Sequence, residues 1–188
     1  MKKVNVSNIS YKINENKLFH NISFDIKKGE ALHISGPNGS GKSTLLRIII
    51  GITLPTKGSV ELYIDNDVCY LGHKNSLKNY LTVEDNILIM GLKNNPKLNS
   101  FLEKLGLSKH LEVIVSNLSF GQQKKLALLR VLLNNSDLIV LDEPFVGLDD
   151  DAQSYIIEFL KSELEKNKSI IFTSHINCSI ESNNLKLG

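Results

Sequence analysis

The stretch Gly36-Pro37-Asn38-Gly39-Ser40-Gly41-Lys42-Ser43-Thr44 constrains this chain more than any other. Ahead of it, Ile22, Phe24 and Ile26 alternate as in a strand, a Lys28-Gly29-Glu30 turn follows, and Ala31-Leu32-His33-Ile34 delivers the chain to Gly36. Behind it, Leu45, Leu46, Ile48 and Ile49 recur with helical spacing. Glycines between a strand end and a helix start let the backbone wrap with its N–H groups inward, and the helix adds about half a positive charge there. Such a loop cradles phosphate. Chance places this spacing in roughly one chain of this length per hundred.

A second stretch, Leu118-Ser119-Phe120-Gly121-Gln122, is about as rare, and Leu138-Ile139-Val140-Leu141-Asp142-Glu143 follows close behind it. Leu138 to Leu141 are apolar without alternation, as in a strand covered on both faces. That strand carries two carboxylates to its C-terminal edge, where open α/β sheets hold their ligands. Together the three stretches describe a site for ATP. Gly36, Pro37, Asn38, Gly39, Ser40 and Gly41 wrap the phosphates, and Lys42 reaches the β- and γ-phosphates. Ser43 ligates Mg²⁺, an oxygen-seeking ion, and Thr44 bonds the α-phosphate side. Asp142 meets the Mg²⁺ shell through water and Glu143 polarises the attacking water. Pro144 and Phe145 continue the segment in an apolar way, which argues against a merely solvated acidic turn.

In these motifs and their order the chain resembles an ATP-binding cassette (ABC) nucleotide-binding subunit, from about Val4 to the last strand. The resemblance implies that Leu118 to Gln122 cap the γ-phosphate of ATP held by a second subunit in a head-to-tail dimer. It implies that Val146-Gly147-Leu148-Asp149 communicate across that dimer, with Asp149 its key residue. It further implies that His175, after the strand Ser169 to Thr173, contacts the γ-phosphate as a switch. Tyr11 is similar to the aromatic that stacks on adenine in this family, although a tyrosine in a strand equally serves packing. His73, in Tyr70-Leu71-Gly72-His73, stands where most cassettes have a glutamine that senses Mg²⁺ or the attacking water. With Gly121-Gln122-Gln123-Lys124-Lys125 and Asp142-Glu143-Pro144-Phe145, that segment resembles the ATP-binding subunit of the haem exporter of cytochrome c maturation. Neutral imidazole has one acceptor and one donor nitrogen and can hold a metal-bound water as an amide does. The alternative is that His73 is a divergent linker residue.

The chain departs from that subfamily at three places. Phe120 replaces a small residue and brings bulk near the γ-phosphate, Lys74 follows His73, and the stretch from Gly58 to Val68 is short. Beside haem export stand two other readings, another ABC exporter and a soluble ABC ATPase of the iron–sulfur assembly type. A nucleotide-binding scaffold without turnover is disfavoured by the presence of both Glu143 and His175.

Composition narrows the classes further. Lys+Arg 22 against Asp+Glu 20 leaves a formal charge of +2, with no basic cluster larger than Lys124-Lys125, so nucleic acid is not an expected partner. Met1-Lys2-Lys3 leads into Val4 without an apolar core of a secretory signal, and the apolar stretch from Leu45 to Leu54 is broken by Arg47 and falls short of the ~20 residues that span a bilayer. Any transport role therefore needs a separate membrane partner; the resemblance implies integral membrane permease subunits, with this chain peripheral on the cytoplasmic side of the inner membrane. Two cysteines, Cys69 and Cys178, suit a reducing compartment, and His175-x-x-Cys178 alone lacks the ligands of a metal site.

The expected architecture is one α/β domain over residues 1–188, a P-loop NTPase core with a mostly parallel sheet, an antiparallel β portion and a helical insertion at 83–115. The antiparallel strands are Val4 to Ile13, Leu18 to Ile26 and Ser59 to Ile64, and Val68 to Leu71 joins the core. Thr82 with Asp85 three positions on caps a helix through Ile87, Leu88 and Met90, and Gly106 ends a helix containing Phe101, Leu102 and Leu105. Leu126, Leu129, Arg130 and Leu133 continue a helix after the signature, and Asp151 to Lys166 forms an amphipathic covering helix. Abundant Asn, Ile and Lys read as nucleotide bias in the gene.

Overall fold

The computed structural model describes residues 2–65, 67–176 and 178–188; Met1, part of the leader argument above, lies outside the described residues. Three strands form an antiparallel sheet ordered β2-β1-β4, from β1 (Lys2–Ile13), β2 (Asn16–Lys27) and β4 (Lys57–Leu62). Five more form a wholly parallel sheet ordered β5-β6-β7-β3-β8, from β5 (Val68–Leu71), β6 (Leu138–Asp142), β7 (Ser169–Thr173), β3 (Ala31–Ser35) and β8 (Asn183–Lys186). Every residue of β6 and β7 is buried, which is why both read as unbroken apolar runs.

Helix α1 (Lys42–Ile49) starts directly from the glycine loop, and its buried residues Leu45, Leu46, Ile48 and Ile49 pack with Leu32 and Ile34 of β3 and with Val4, Val6 and Ile9 of β1. The other face of the parallel sheet carries α4 (Phe120–Leu132) and α5 (Asp150–Glu165), packed through Leu126, Leu128, Leu129, Ile156 and Leu160 against Leu71, Ile139, Leu141 and Phe172. One core thus lies on each side of the sheet, the layered solution for helices on a buried parallel sheet.

Between β5 and α4 the chain forms α2 (Val83–Ile89), α3 (Leu98–Lys104) and two short 3₁₀ turns, Ser108–His110 and Val115–Asn117. Thr82 caps α2 in a reciprocal box: its hydroxyl accepts from the Asp85 N–H, and the Asp85 carboxylate accepts from the Thr82 N–H at 3.1 Å. The Thr82 hydroxyl also donates to the Asp85 carboxylate at 2.7 Å, and that bond, followed by the one from the Thr82 N–H, holds the Asp85 carboxyl below the ordinary carboxylate range.

The long β1–β2 ribbon is bent at asparagines. Asn8 (φ 52°), Asn14 (φ 54°) and Asn21 (φ 53°) sit in left-handed backbone, and Asn167 (φ 65°) does so just past α5. Asn8 N–H donates to Ser23 Oγ at 2.8 Å and Asn21 N–H to Ser10 Oγ at 3.0 Å, so at both positions a side chain of the opposite strand takes up the backbone donor. At these positions asparagine has a conformational role, since its short amide tolerates left-handed backbone better than most residues.

Candidate nucleotide site

The P-loop, β6 and β7 meet at the carboxyl edge of the parallel sheet around a cavity of about 510 Å³. Asn38, Gly39, Gly41, Lys42, Ser43 and Thr44 line one wall; Asp142, Glu143, Val146 and His175 line the facing wall, and His73 closes a side. A larger cavity, about 820 Å³, lies among Lys3, Asp137, Glu163 and Lys168, whose charges are engaged in mutual ion pairs. The smaller one holds the reactive groups.

Gly41, in left-handed backbone (φ 94°), turns the loop into α1 without a side-chain cap, so the first N–H groups of the helix are left for a ligand. Lys42 is 8% exposed, and its ammonium donates to the carbonyls of Gly36 (2.8 Å) and Pro37 (3.2 Å) across its own loop. Ser40 Oγ is buried with no hydrogen-bond partner among the described residues.

On the opposite wall, β6 ends in Asp142, 1% exposed, and the chain turns sharply at Glu143, whose φ of 51° is left-handed. A glutamate held there stores strain of about 1–3 kcal/mol, the kind of cost that surrounding structure tolerates where it aims a functional group. Thr173 at the end of β7 fixes both residues. Its hydroxyl donates to Asp142 Oδ1 at 2.9 Å and accepts from the Glu143 N–H at 2.9 Å. Glu143 Oε2 accepts from the His175 N–H at 3.2 Å, and His175 Nε2 lies 3.5 Å from Oε1. Asp142 Oδ2 is buried without a hydrogen-bond partner among the described residues, and Glu143 Oε1 likewise lacks one. Such atoms are costly in a folded core and mark a place for a cation or donor. With the Ser43 hydroxyl they make a hard, all-oxygen donor set, which suits Mg²⁺.

The signature stretch is elsewhere. None of Leu118, Ser119, Phe120, Gly121 and Gln122 lines the cavity. Ser119 caps α4 in a second reciprocal box, accepting from the Gln122 N–H while Gln122 Oε1 accepts from the Ser119 N–H at 2.9 Å. The following loop packs on it: a Cβ on Gly121 would meet the Gly147 carbonyl oxygen at 2.5 Å, and a Cβ on Gly147 (φ +82°) would collide with the Phe120 ring. Phe120 itself is 57% exposed. Asp149 caps α5, accepting from the Ala152 N–H at 2.9 Å, and pairs with Lys125 of α4 at 2.6 Å. The Lys125 hydrogen bond, more than the Ala152 one, holds the Asp149 carboxyl below its usual range.

Tyr11, read from the sequence as either an adenine platform or a packing residue, packs on the ribbon. It is half-buried with its ring 6.2 Å from that of Phe19, against the core, and it does not line the cavity. Ile13, at the tip of the ribbon, and Leu18 occupy that wall instead. The pairing irregularities on either side of Tyr11 set which residue reaches the tip, and alternation in the sequence does not report them. Thr173 was also beyond sequence reasoning, because its role depends on β7 lying beside β6.

A family model described as ABC transporter matches residues 19–146. The chain belongs to the ABC transporter family. Among curated relatives, the cytochrome c biogenesis ATP-binding export protein CcmA of Nitrosococcus oceani is 36% identical over 186 residues, covering 92% of this chain and 86% of that protein. The protein of the same name from Dechloromonas aromatica is 33% identical, covering 86% of each chain. An ATP-binding cassette solved as a dimer in a post-hydrolysis state, with ADP and Pi bound, superposes with a TM-score of 0.77 at 28% identity, over 92% of this chain and 88% of the other. An ABC transporter ATP-binding protein of Pyrococcus furiosus shares the fold at TM-score 0.82 and 24% identity, over 98% of this chain and 97% of that one. The cassette is thus a nucleotide-binding ATPase subunit of a transporter.

Proposed function

We propose that this cassette powers the haem exporter of cytochrome c maturation, hydrolysing ATP between two head-to-tail copies. The observation that carries the hydrolytic reading is the convergence of Lys42, Ser43, Asp142, Glu143 and His175 on one cavity, with the signature stretch held away from it. A signature outside its own cavity is what a shared site requires, since Ser119 and Gly121 of one copy then close on nucleotide bound at Lys42 of the other. Lys42 exchanges its loop carbonyls for phosphate oxygens. Mg²⁺, when bound by Ser43 and Asp142, supplies charge neutralisation at the phosphates. Glu143, held by Thr173 and the His175 N–H, orients the attacking water and takes up its proton, and the His175 side chain reports the γ-phosphate. Asp149 and Val146 to Leu148 join the two sites, and His73 lines the cavity from the loop between β5 and α2.

We treat residues 83–115 as a helical insertion of the single domain. Exposed Leu88 (57%) and Ile89 (58%) of α2, with Tyr80 (74%) in the loop before it, offer apolar side chains for integral membrane permease subunits, which would seat the cassette on the cytoplasmic side of the inner membrane. No helix of the described residues is long and apolar enough to cross a membrane. The cargo reading rests on the curated relatives and on His73 in its Gly72-His73 setting.

The test is haem staining of c-type cytochromes in the native host carrying Glu143→Gln, with the level of the protein checked. Loss of covalent haem from all c-type cytochromes is expected. Normal staining would leave an ABC ATPase with a different cargo.

A further inference from the structure

Lys124 heads the largest fully buried side chains, at 1% exposure, and it carries a charge. Two other lysines are buried, and both have partners: Lys3 pairs with Asp137 at 3.0 Å, and Lys42 donates to its loop carbonyls. Lys124 forms neither a hydrogen bond nor an ion pair with any described residue. Its helix neighbours Leu126, Ala127 and Leu128 share a buried cluster with Leu141 and Phe145, which bracket Asp142 and Glu143 in the chain, and those two carboxylates are the charges that act on it. Burial pulls its ammonium below the ordinary lysine range, while Asp142 and then Glu143 act in the opposite sense. It does not line the cavity.

A buried cation without compensation is strongly unfavourable, and so are two adjacent buried carboxylates. Asp142 Oδ2 and Glu143 Oε1, each without a hydrogen bond, are the complementary half of that imbalance. As a packing element alone Lys124 is a poor choice, because burying an ammonium carries a desolvation cost that an apolar residue of similar volume does not.

We propose that Lys124 is a positioning residue for ATP hydrolysis, its buried ammonium balancing Asp142 and Glu143 and holding both carboxylates toward the cavity. It acts through those residues and does not touch ATP. The inference rests on the hydrolytic role proposed for Glu143.

The test compares Lys124→Met, Lys124→Arg and Glu143→Gln in the full chain, purified in the complex that the wild-type chain forms in its host. ATP hydrolysis, equilibrium ATP binding and thermal unfolding are measured on each. Lys124→Met is expected to unfold below the wild-type temperature, because it leaves Asp142 and Glu143 buried without their counter-charge, to lose about tenfold or more in kcat per folded molecule, and to bind ATP within about threefold of wild type, with Lys124→Arg recovering most of the rate. If Lys124→Met does not accumulate, Lys124→Gln serves the same comparison. Wild-type kcat in the neutral variants would overturn the inference, as would a rate loss accompanied by an equal loss of folded protein. Glu143→Gln separates the two levels. If it is inactive while Lys124→Met is fully active, only the Lys124 inference falls; if Glu143→Gln turns over normally, the role of Glu143 falls and takes the inference with it.

Discussion

The Thr173 hydroxyl donates to Asp142 Oδ1 at 2.9 Å, and the same oxygen accepts from the N–H of Glu143. One atom at the end of β7 therefore sets both the carboxylate that ends β6 and the strained turn that follows it. Thr173→Val keeps the shape and removes both bonds, leaving a buried carboxylate oxygen and a buried N–H unpaired. The expected cost is about 1–3 kcal/mol, read by denaturant unfolding, with a fall in ATPase rate larger than any change in ATP affinity. Thr173→Ser is expected to stay close to wild type on both measures.

Gly147 lies under the Phe120 ring, which is where the signature meets the following loop. Gly147→Ala should destabilise the cassette by about 1–3 kcal/mol, part from the clash and part from a left-handed φ that alanine resists. Adding Phe120→Ala removes only the clash. A double-mutant cycle in thermal or denaturant unfolding should thus show partial rescue, and strictly additive losses would count against the contact.

Ile13, exposed at the ribbon tip, should matter to nucleotide more than Tyr11 does. Ile13→Ala is expected to weaken ATP binding by about fivefold, corresponding to roughly 1 kcal/mol of lost apolar contact. Tyr11→Ala should lower stability through its packing against Phe19 and leave affinity nearly unchanged. Fluorescent-nucleotide titration beside thermal unfolding distinguishes the two, and the reverse pattern would restore Tyr11 as the adenine platform.

Glu163 is buried in α5 and bonded to Lys166 at 2.7 Å and Lys168 at 2.5 Å. Burial alone would raise its carboxyl, but the two lysines outweigh it and the net shift is downward from 4.5. A carboxyl lowered in the folded state contributes stability above its unfolded value and loses it as pH falls through the lower, folded one. Glu163→Gln should therefore cost up to about 3 kcal/mol near neutral pH, a gap that narrows as pH drops below about 4.5. Denaturant unfolding of both proteins at pH 7 and at pH 4 or below measures it.

Much of this molecule was readable in advance where local chemistry decides. The glycine loop, the cap at Thr82 and the unbroken apolar strand ending in Asp142 depend on near neighbours in the chain. Bounds shifted where a neighbouring strand decides: β4 runs Lys57–Leu62, two positions earlier than its apolar pattern suggests, because its register is set by β1. Lys124 and Lys125 look alike in the sequence, yet one is fully buried and the other pairs with Asp149. Only the angle at which α4 leaves the signature separates them. Asparagine frequency read as gene composition, whereas Asn8, Asn14, Asn21 and Asn167 occupy left-handed backbone that a count of residues does not reveal.

The strand order β5-β6-β7-β3-β8 seats β3 between two strands from the far end of the chain. During synthesis the phosphate loop leaves the ribosome early, but the strand that anchors it has no lateral hydrogen-bond partner until Ser169–Thr173 and then Asn183–Lys186 emerge. At ~5–20 residues per second the nascent chain spends many seconds with its antiparallel ribbon able to pair and its central sheet unable to close. Maturation of the ATP site therefore waits on β7 and β8 and is slowed by long-range parallel pairing.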